Sequence, residues 1–378
     1  MNRKSTVFDL FCGAGGLSLG FQQAGFHVLG GNDHFEAAGE TFSRAHNSAK
    51  FYGMPIQKLS GSHVLQDFNL ARGDLDCLVG GPPCQAYSVY NHKRSMEDDR
   101  ANLFREYLRI VDELHPKWIV IENVTGIKSI DNGRVVEQIS NELSLRGYNV
   151  EIKTLFAEDH GVPQERRRVI FLGNRIGAPI TWPQKSYGEA VPTNTIFDAI
   201  SDLPPLENGE RANSQNYQVK PNSNLQSELR KNSLAIHNHD APKLGAINLE
   251  RMKYIEPGGS WRDIPHDLLP NGMKTAKRSD HTKRYGRMKW DGLACTILTK
   301  CDIHWGAYIH PDQDRAITVR EAARLQTFPD NVRFFGNRTE QYVQVGNAVP
   351  PLLGKALANS IKNATNAFKP KALNVQAS

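Results

Sequence analysis

The chain has 378 residues, 39% of them hydrophobic, enough for two domains or for one large α/β domain with an insertion. Lys and Arg number 46 against 40 Asp and Glu, and the resulting +6 is compatible with a polyanionic partner without requiring one. No apolar run approaches the roughly 18 residues of a membrane-spanning helix, and Met1-Asn2-Arg3-Lys4-Ser5 carries no signal-peptide apolar stretch. Five cysteines without a CxxC pair argue against a disulfide framework and a zinc site, so a reducing, cytoplasmic compartment and no metal are expected.

In chain order, Thr6-Val7-Phe8-Asp9-Leu10-Phe11 reads as a first strand. Cys12-Gly13-Ala14-Gly15-Gly16 is a glycine-rich turn, and residues 17–24 follow with Leu17, Phe21 and Ala24 at helical spacing. Strand, glycine turn and helix open a nucleotide-binding βαβ unit: glycines let the backbone approach a ligand, and a helix start offers unpaired N–H groups. A dinucleotide template has glycine or alanine where Ser18 stands, and a tight turn alone also accounts for the pattern. Residues 27–31 form a second strand ending at Asn32-Asp33, an acid suited to a ribose diol. A helix is expected over 35–46, then an irregular stretch through Ser62 and a short element around His63-Val64.

Leu75-Asp76-Cys77-Leu78-Val79 is a further strand, stopped by Gly80-Gly81-Pro82-Pro83. Cys84 follows at once, at a strand end, where open α/β sheets place their ligands. It reads either as a buried structural cysteine or as a fixed thiol beside the polar residues 86–100, a mobile loop by composition. An amphipathic helix runs through Leu103, Phe104, Tyr107, Leu108, Val111 and Leu114 and ends at Pro116. Trp118-Ile119-Val120-Ile121 is a fully apolar strand that terminates in Glu122-Asn123-Val124. Glu122 is either a capping or salt-bridged acid, or a functional acid near the Cys84 turn.

A helix over 135–145 and strands over 150–156 and 168–172 follow, with Arg166, Arg167 and Arg168 in a Gly/Pro turn: a solvated edge, an anion site or a carboxylate clamp. From Gly177 to about Lys289 the αβ alternation stops. Pro, Asn, Gly, Ser and Lys dominate there, which reads as a smaller irregular domain with Trp261, Ile264, Leu268, Leu269, Trp290 and Ile297 as its core. Thr318 and Glu321 spell a capping box before a segment closed by Pro329. Pro350-Pro351 starts a last helix over 352–361, and the tail after Ala367 reads as disordered.

Six segments in order resemble the DNA (cytosine-5)-methyltransferases of the compact bacterial and phage type. They are Asp9-Leu10-Phe11-Cys12-Gly13-Ala14-Gly15-Gly16, Pro83-Cys84-Gln85, Glu122-Asn123-Val124, Gln164-Glu165-Arg166-Arg167-Arg168, Arg324-Leu325-Gln326-Thr327-Phe328-Pro329-Asp330 and Gly346-Asn347-Ala348-Val349-Pro350. The resemblance implies an α/β fold: a Rossmann-like S-adenosylmethionine-dependent methyltransferase sheet with a smaller irregular target-recognition domain. Residues 1–180 plus 345–378 become the catalytic and cofactor-binding domain, 181–312 the target-recognition domain and 313–344 a hinge segment. The last helix is expected to pair with the first strands.

The resemblance also implies the chemistry. A methyl group passes from S-adenosylmethionine, leaving S-adenosylhomocysteine, to carbon 5 of a cytosine in a short duplex DNA sequence. Cys84 is the implied nucleophile at cytosine carbon 6, Glu122 the acid at N3 and the exocyclic amine, Arg168 the group orienting Glu122 or a base oxygen, and Arg166 its assistant. Phe11, Gly13, Gly15, Gly16, Asp33, His63, Val64, Leu103, Asn347 and Val349 are the implied cofactor positions; His63 stands where relatives carry an acid for the adenine amine. The cytosine is flipped out of the duplex, and residues 86–100 close over it. A monomer, a functionally paired restriction endonuclease and no membrane partner complete the expectation.

Three alternatives stay open at this point. A tRNA cytosine-5 methyltransferase on the same scaffold is one, although its Cys-Phe-Thr signature is absent. A catalytically silent DNA-binding homologue is another, against which Cys84, Glu122 and Arg168 argue together. A NAD-dependent dehydrogenase accounts for the glycine turn alone.

Overall fold

The computed structural model describes residues 3–83, 102–212 and 214–368; Cys84, Gln85, the 86–100 stretch and the tail beyond Phe368 lie outside the described residues. The first part of the chain forms β1 (Thr6–Leu10), α1 (Gly16–Gln23), β2 (His27–Asp33), α2 (Glu36–Ala45), β3 (Lys50–Gly53), α3 (Gly61–Asp67), β4 (Cys77–Gly80), α4 (Asn102–Leu114), β5 (Trp118–Val124), α5 (Arg134–Leu145), β6 (Asn149–Phe156) and β7 (Arg167–Asn174). The strands make one sheet in the order β3-β2-β1-β4-β5-β7-β6. β1 to β5 run parallel, while β7 is antiparallel to both its neighbours. The connection 157–166 between β6 and β7 carries no crossover α-helix, and without one a chain can pair adjacent strands only in the antiparallel sense.

Alternation along the strands feeds two apolar layers. Phe8, Leu10, Leu78, Ile119, Ile121 and Phe171 pack with Tyr107 and Val111 of α4 and Val135 and Ile139 of α5. Val7, Val79, Val120, Ile170 and Leu172 pack with Phe21 of α1 and Leu353, Leu357 and Ile361 of the last helix, α12 below. β3 is a four-residue edge strand within the stretch expected to be irregular, and the short element expected around His63-Val64 is α3, capped by Ser60, whose side chain accepts from His63 N.

The remainder carries four short helices, α6 (Ile196–Ile200), α7 (Asn224–Arg230), α8 (Ala246–Met252) and α9 (Asn271–Lys274). Then come α10 (Val319–Leu325), α11 (Arg338–Asn347) and α12 (Pro351–Ala367). Trp261, Ile264, Leu269 and Ile297 are buried as the sequence predicts, with Leu268 and Trp290 half-buried around them. The segment 313–344, expected as a hinge, contributes to the core of this part of the chain. Its Ile317, Val319, Leu325, Phe328, Val332 and Phe334 share one core with Ile196, Met252 and Trp261, and with Ala14 and Leu19 beside the glycine turn. The predicted capping box is present: Thr318 and Glu321 each cap the other's backbone N–H. Buried ion pairs lock α10 in place, Arg324 to Asp330 (2.6 Å) and to Asp202, and Arg315 to Glu321 (2.7 Å). α12 crosses α1 at backbone contact, since a Cβ added to Gly20 would lie 2.5 Å from both Lys355 N and Pro351 O.

Candidate active site

The carboxyl ends of β1, β2, β4 and β5 open on one edge of the sheet, where the strand order reverses beside β1. The turn after β1 needs left-handed backbone at Phe11 (φ 58°), Gly13 (φ 51°) and Gly15 (φ 81°). Asp33 holds it from the end of β2: one carboxylate oxygen accepts from Gly13 N at 2.9 Å, the other from Phe35 N at 3.0 Å. Beneath the turn, the buried Asp9 accepts from Ser18 Oγ at 2.6 Å. Burial pushes the Asp9 carboxyl up to about 7, the Ser18 hydrogen bond opposing and the Asp33 charge adding. Ser18, the residue that departs from the dinucleotide template, is therefore the donor this acid requires.

His46 backs the turn from the other side, with Nε2 3.3 Å from Gly15 O and Nδ1 2.7 Å from Gln22 Oε1. Its burial draws it down to about 4. Gly16 sits on the α11–α12 junction: an added Cβ would lie 2.4 Å from Val349 O and 3.0 Å from Phe328 Cζ. This contact brings Val349 to Gly16. Phe11 and Leu103 are half-buried against one apolar layer, and Asn347, the last residue of α11, is exposed. The start of α1 has no side-chain cap, which leaves its first backbone N–H groups for a ligand. Free N–H groups, a glycine cradle and an acid at the end of β2 fit a nucleoside carrying an amino-acid arm.

Next along the edge, β4 runs into Gly81-Pro82-Pro83. Asn123 Nδ2 donates to Pro82 O at 2.9 Å, tying this turn to β5. A Cβ on Gly81 would lie 3.0 Å from Glu122 Oε2, so the turn after β4 starts directly beside that carboxylate. Arg168 Nε lies 2.5 Å from Glu122 Oε1, and both side chains are nearly buried. The antiparallel register explains the pair. Val124 faces Arg168 and Glu122 faces Ile170, so Glu122 and Arg168 are diagonal neighbours on one face.

Arg166, expected as an assistant to Arg168, is held by backbone carbonyls. Its guanidinium is fully buried and donates to Ile297 O (3.2 Å), Gly346 O (3.0 Å) and Ala348 O (2.8 Å). Burial and the neighbouring Arg168 pull its proton affinity down, while Glu122 opposes. Gln164 completes the knot: its Nε2 donates to Gln326 Oε1 at 3.0 Å, and its Oε1 accepts from Ile297 N at 2.8 Å. Gln164 and Gln326 fall inside the recognised segments, but only the fold shows them meeting.

His63 and Val64 lie on α3. His63 is exposed on α3 and pairs with Asp67 (3.5 Å), which also holds Lys50 at the opposite end of β3; Val64 is buried in the apolar layer. The carboxyl end of β3 instead brings Met54 near β2, where Asn32 Nδ2 donates to Tyr52 O and Met54 O, each at 2.8 Å. The described cysteines, Cys12, Cys77, Cys295 and Cys301, are free, and burial pushes all four thiols up, away from thiolate character. Among the described residues no cluster of His, Cys, Asp and Glu has the makings of a metal site, and no helix is long and apolar enough to cross a membrane.

The strand order, the glycine turn after β1 and the acid–arginine pair across β5 and β7 define a Rossmann-like methyltransferase sheet. The family model of C-5 cytosine-specific DNA methylase matches residues 5–363, and the chain belongs to that family: it is a DNA (cytosine-5)-methyltransferase. It is 33% identical to the Type II methyltransferase M.AgeI of Thalassovita gelatinovora, over 94% of this chain and 99% of that protein. It is 35% identical to the Type II methyltransferase M1.HphI of Haemophilus parahaemolyticus, over 94% of this chain and 86% of that protein. Among solved structures, a prophage-encoded E. coli protein described as a DNA modification methyltransferase shares the fold with a TM-score of 0.75 at 24% identity, over 96% of this chain and 100% of that one.

Proposed function

We propose that the chain methylates a cytosine within one short duplex sequence, with Cys84 as nucleophile and S-adenosylmethionine as methyl donor. When bound, S-adenosylmethionine supplies an electrophilic sulfonium methyl group. The N–H groups at the start of α1 and the Asp33 carboxylate would hold it, with Gly13, Gly15 and Gly16 at backbone contact and Phe11, Leu103, Asn347 and Val349 around it.

Carbon 5 of cytosine is a weak nucleophile. Addition of the Cys84 thiolate forms a sulfur–carbon bond at carbon 6 and drives the ring electrons toward carbon 5. Glu122 accepts from the exocyclic amine and shares a proton with N3, which neutralises the negative charge that develops there on addition. Arg168 fixes the direction of that carboxylate and keeps its charge compensated in a nearly closed site. Once carbon 5 carries the methyl group, its proton leaves, the carbon–sulfur electrons return to the thiolate, and aromaticity is restored. The cytosine reaches these groups only when taken out of the duplex. Arg166 is a positioning residue on this account, and His63 has no assigned contact. The protein works as a cytoplasmic monomer, functionally paired with a restriction endonuclease.

The observation that carries this reading is the Glu122–Arg168 pair at 2.5 Å set against Gly81, three residues before Cys84. Its test is transfer of labelled methyl from S-adenosylmethionine to unmethylated duplex DNA, followed by bisulfite sequencing. Wild-type protein should label one short motif and Cys84→Ala none. Wild-type turnover in Cys84→Ala sinks the mechanism, and label in unmodified tRNA but not in DNA sinks the substrate.

A further inference from the structure

One strip by which the recognition region meets the catalytic edge is residues 294–305. Ala294 pairs with Gln164 in a parallel bridge, Glu165 N donates to Ala294 O at 2.8 Å, and Thr296 Oγ1 donates to Glu165 O at 2.6 Å. Ile297 is held on both sides, by Gln164 and by Arg166. Leu298 and Thr299 then lie on Gly346, where an added Cβ would be 2.5 Å from Leu298 C and 2.6 Å from Thr299 N. The strip is thus bolted to the chain that leads into β7 and Arg168.

The chain turns back past this anchor at the buried Cys301 (φ 43°), and two large apolar side chains face solvent, Leu298 within the anchor (44% exposed) and Trp305 beyond the turn (59% exposed). The loop itself is pinned: Tyr285 N donates to Ile303 O at 2.7 Å, and the Tyr285 and His304 rings meet at 4.9 Å. The Arg284 guanidinium lies 4.7 Å from the centre of the Trp305 ring. Residues 271–305 hold eight Lys and Arg against three Asp, a net +5 in a chain whose total is +6. An indole left in water forgoes the stabilisation of burial. A rigid loop that spends one beside a guanidinium, in the most basic stretch of the chain, matches a polyanion that also presents flat aromatic faces.

We propose that Trp305, braced by Arg284, stacks on a base of the target duplex beside the cytosine that is taken out, and is thereby a positioning and specificity-determining residue. The inference rests on the function proposed above. A closed duplex offers no free base face along its length, but the opened target pair does, so the contact forms only where the duplex has been opened.

The test uses the full chain, saturating S-adenosylhomocysteine, and a duplex bearing the mapped site with 2-aminopurine at the target position; this base brightens when unstacked. Trp305→Leu, which keeps apolar volume without a π face, should weaken duplex binding about 10-fold or more. It should leave the salt dependence of binding unchanged, and the bound probe should stay dim. Trp305→Tyr should restore most of both, and the cofactor affinity and melting temperature of either variant should match wild type. Wild-type affinity and emission in Trp305→Leu overturn the inference. So does a salt slope lowered by about one with emission intact, which marks a phosphate contact alone. A wild-type protein that methylates no DNA defeats the proposed function itself, whereas normal wild-type methylation with an unaffected Trp305→Leu defeats only the stacking role.

Discussion

Replacing Gly16 with alanine tests whether the glycine turn is seated on the α11–α12 junction. The new methyl group would fall 2.4 Å from Val349 O, 3.0 Å from Phe328 Cζ and 3.3 Å from Ala348 Cβ. The first contact is far inside van der Waals distance and is with backbone, which cannot rotate away. Relief requires α1 and the 348–349 backbone to separate, an overpacking cost of about 1–3 kcal/mol. If that separation is expressed in the site, S-adenosylhomocysteine binds roughly 5- to 150-fold more weakly, at tenfold per 1.4 kcal/mol. Gly13→Ala is the control. Its Cβ meets nothing within 4 Å, and only the left-handed φ of 51° opposes it, a strain of about 1–2 kcal/mol with no repacking. Titration calorimetry with S-adenosylhomocysteine and thermal melts on both variants decide the matter. Gly16→Ala should lose affinity and melting temperature together, with Gly13→Ala the milder. A Gly16→Ala protein with wild-type affinity and melting temperature refutes the packing argument.

Three further outcomes follow from the same geometry. The Asp9 carboxyl, pushed up to about 7, favours its neutral form in the fold. It therefore contributes stability below about pH 4, and that contribution fades as pH rises to about 7, by about 1.4 kcal/mol per unit. Asp9→Asn should gain on wild type across that window and run parallel to it above; a constant difference in denaturant midpoint from pH 5 to pH 8 contradicts this. Glu122→Gln keeps the shape but removes the charge opposite Arg168, and should lower kcat about 100- to 1000-fold with little change in cofactor affinity; single-turnover kinetics would expose an unaffected variant. Arg166→Lys should be destabilised by about 3 kcal/mol or more, because an ammonium cannot span the three carbonyls that the planar fork serves. Wild-type stability of that variant in urea would show the knot to be dispensable.

The sequence makes the central strands legible because they are buried on both faces and read as unbroken apolar runs. β3 escapes notice, since Lys50-Phe51-Tyr52-Gly53 is short, lies at the edge and is apolar only in the middle. The orientation of β7 follows from the lack of a crossover helix before it, a feature of the connection rather than of the strand. Glu122 and Arg168 stand out through their motifs, but their pairing depends on the antiparallel register. Arg166 is hardest to read, because its partners lie 131, 180 and 182 residues away and are backbone carbonyls, which carry no side-chain signature. The recognition region resists for another reason: its helices are one or two turns long, too short to show a period. The capping box of α10 is legible in Thr318 and Glu321, but its buried ion pairs with Asp202 and Asp330 are not, since Asp202 lies 122 residues away.

The most direct test of the account is covalent trapping. Duplex DNA is amplified with 5-fluoro-dCTP and incubated with the protein and S-adenosylmethionine. Fluorine at carbon 5 cannot depart as the proton does, so the adduct persists after methyl transfer. The account predicts a denaturant-resistant protein–DNA complex whose cross-linked peptide contains Cys84, and none with Cys84→Ser. A complex that survives in Cys84→Ser, or maps to Cys12, Cys77, Cys295 or Cys301, contradicts it.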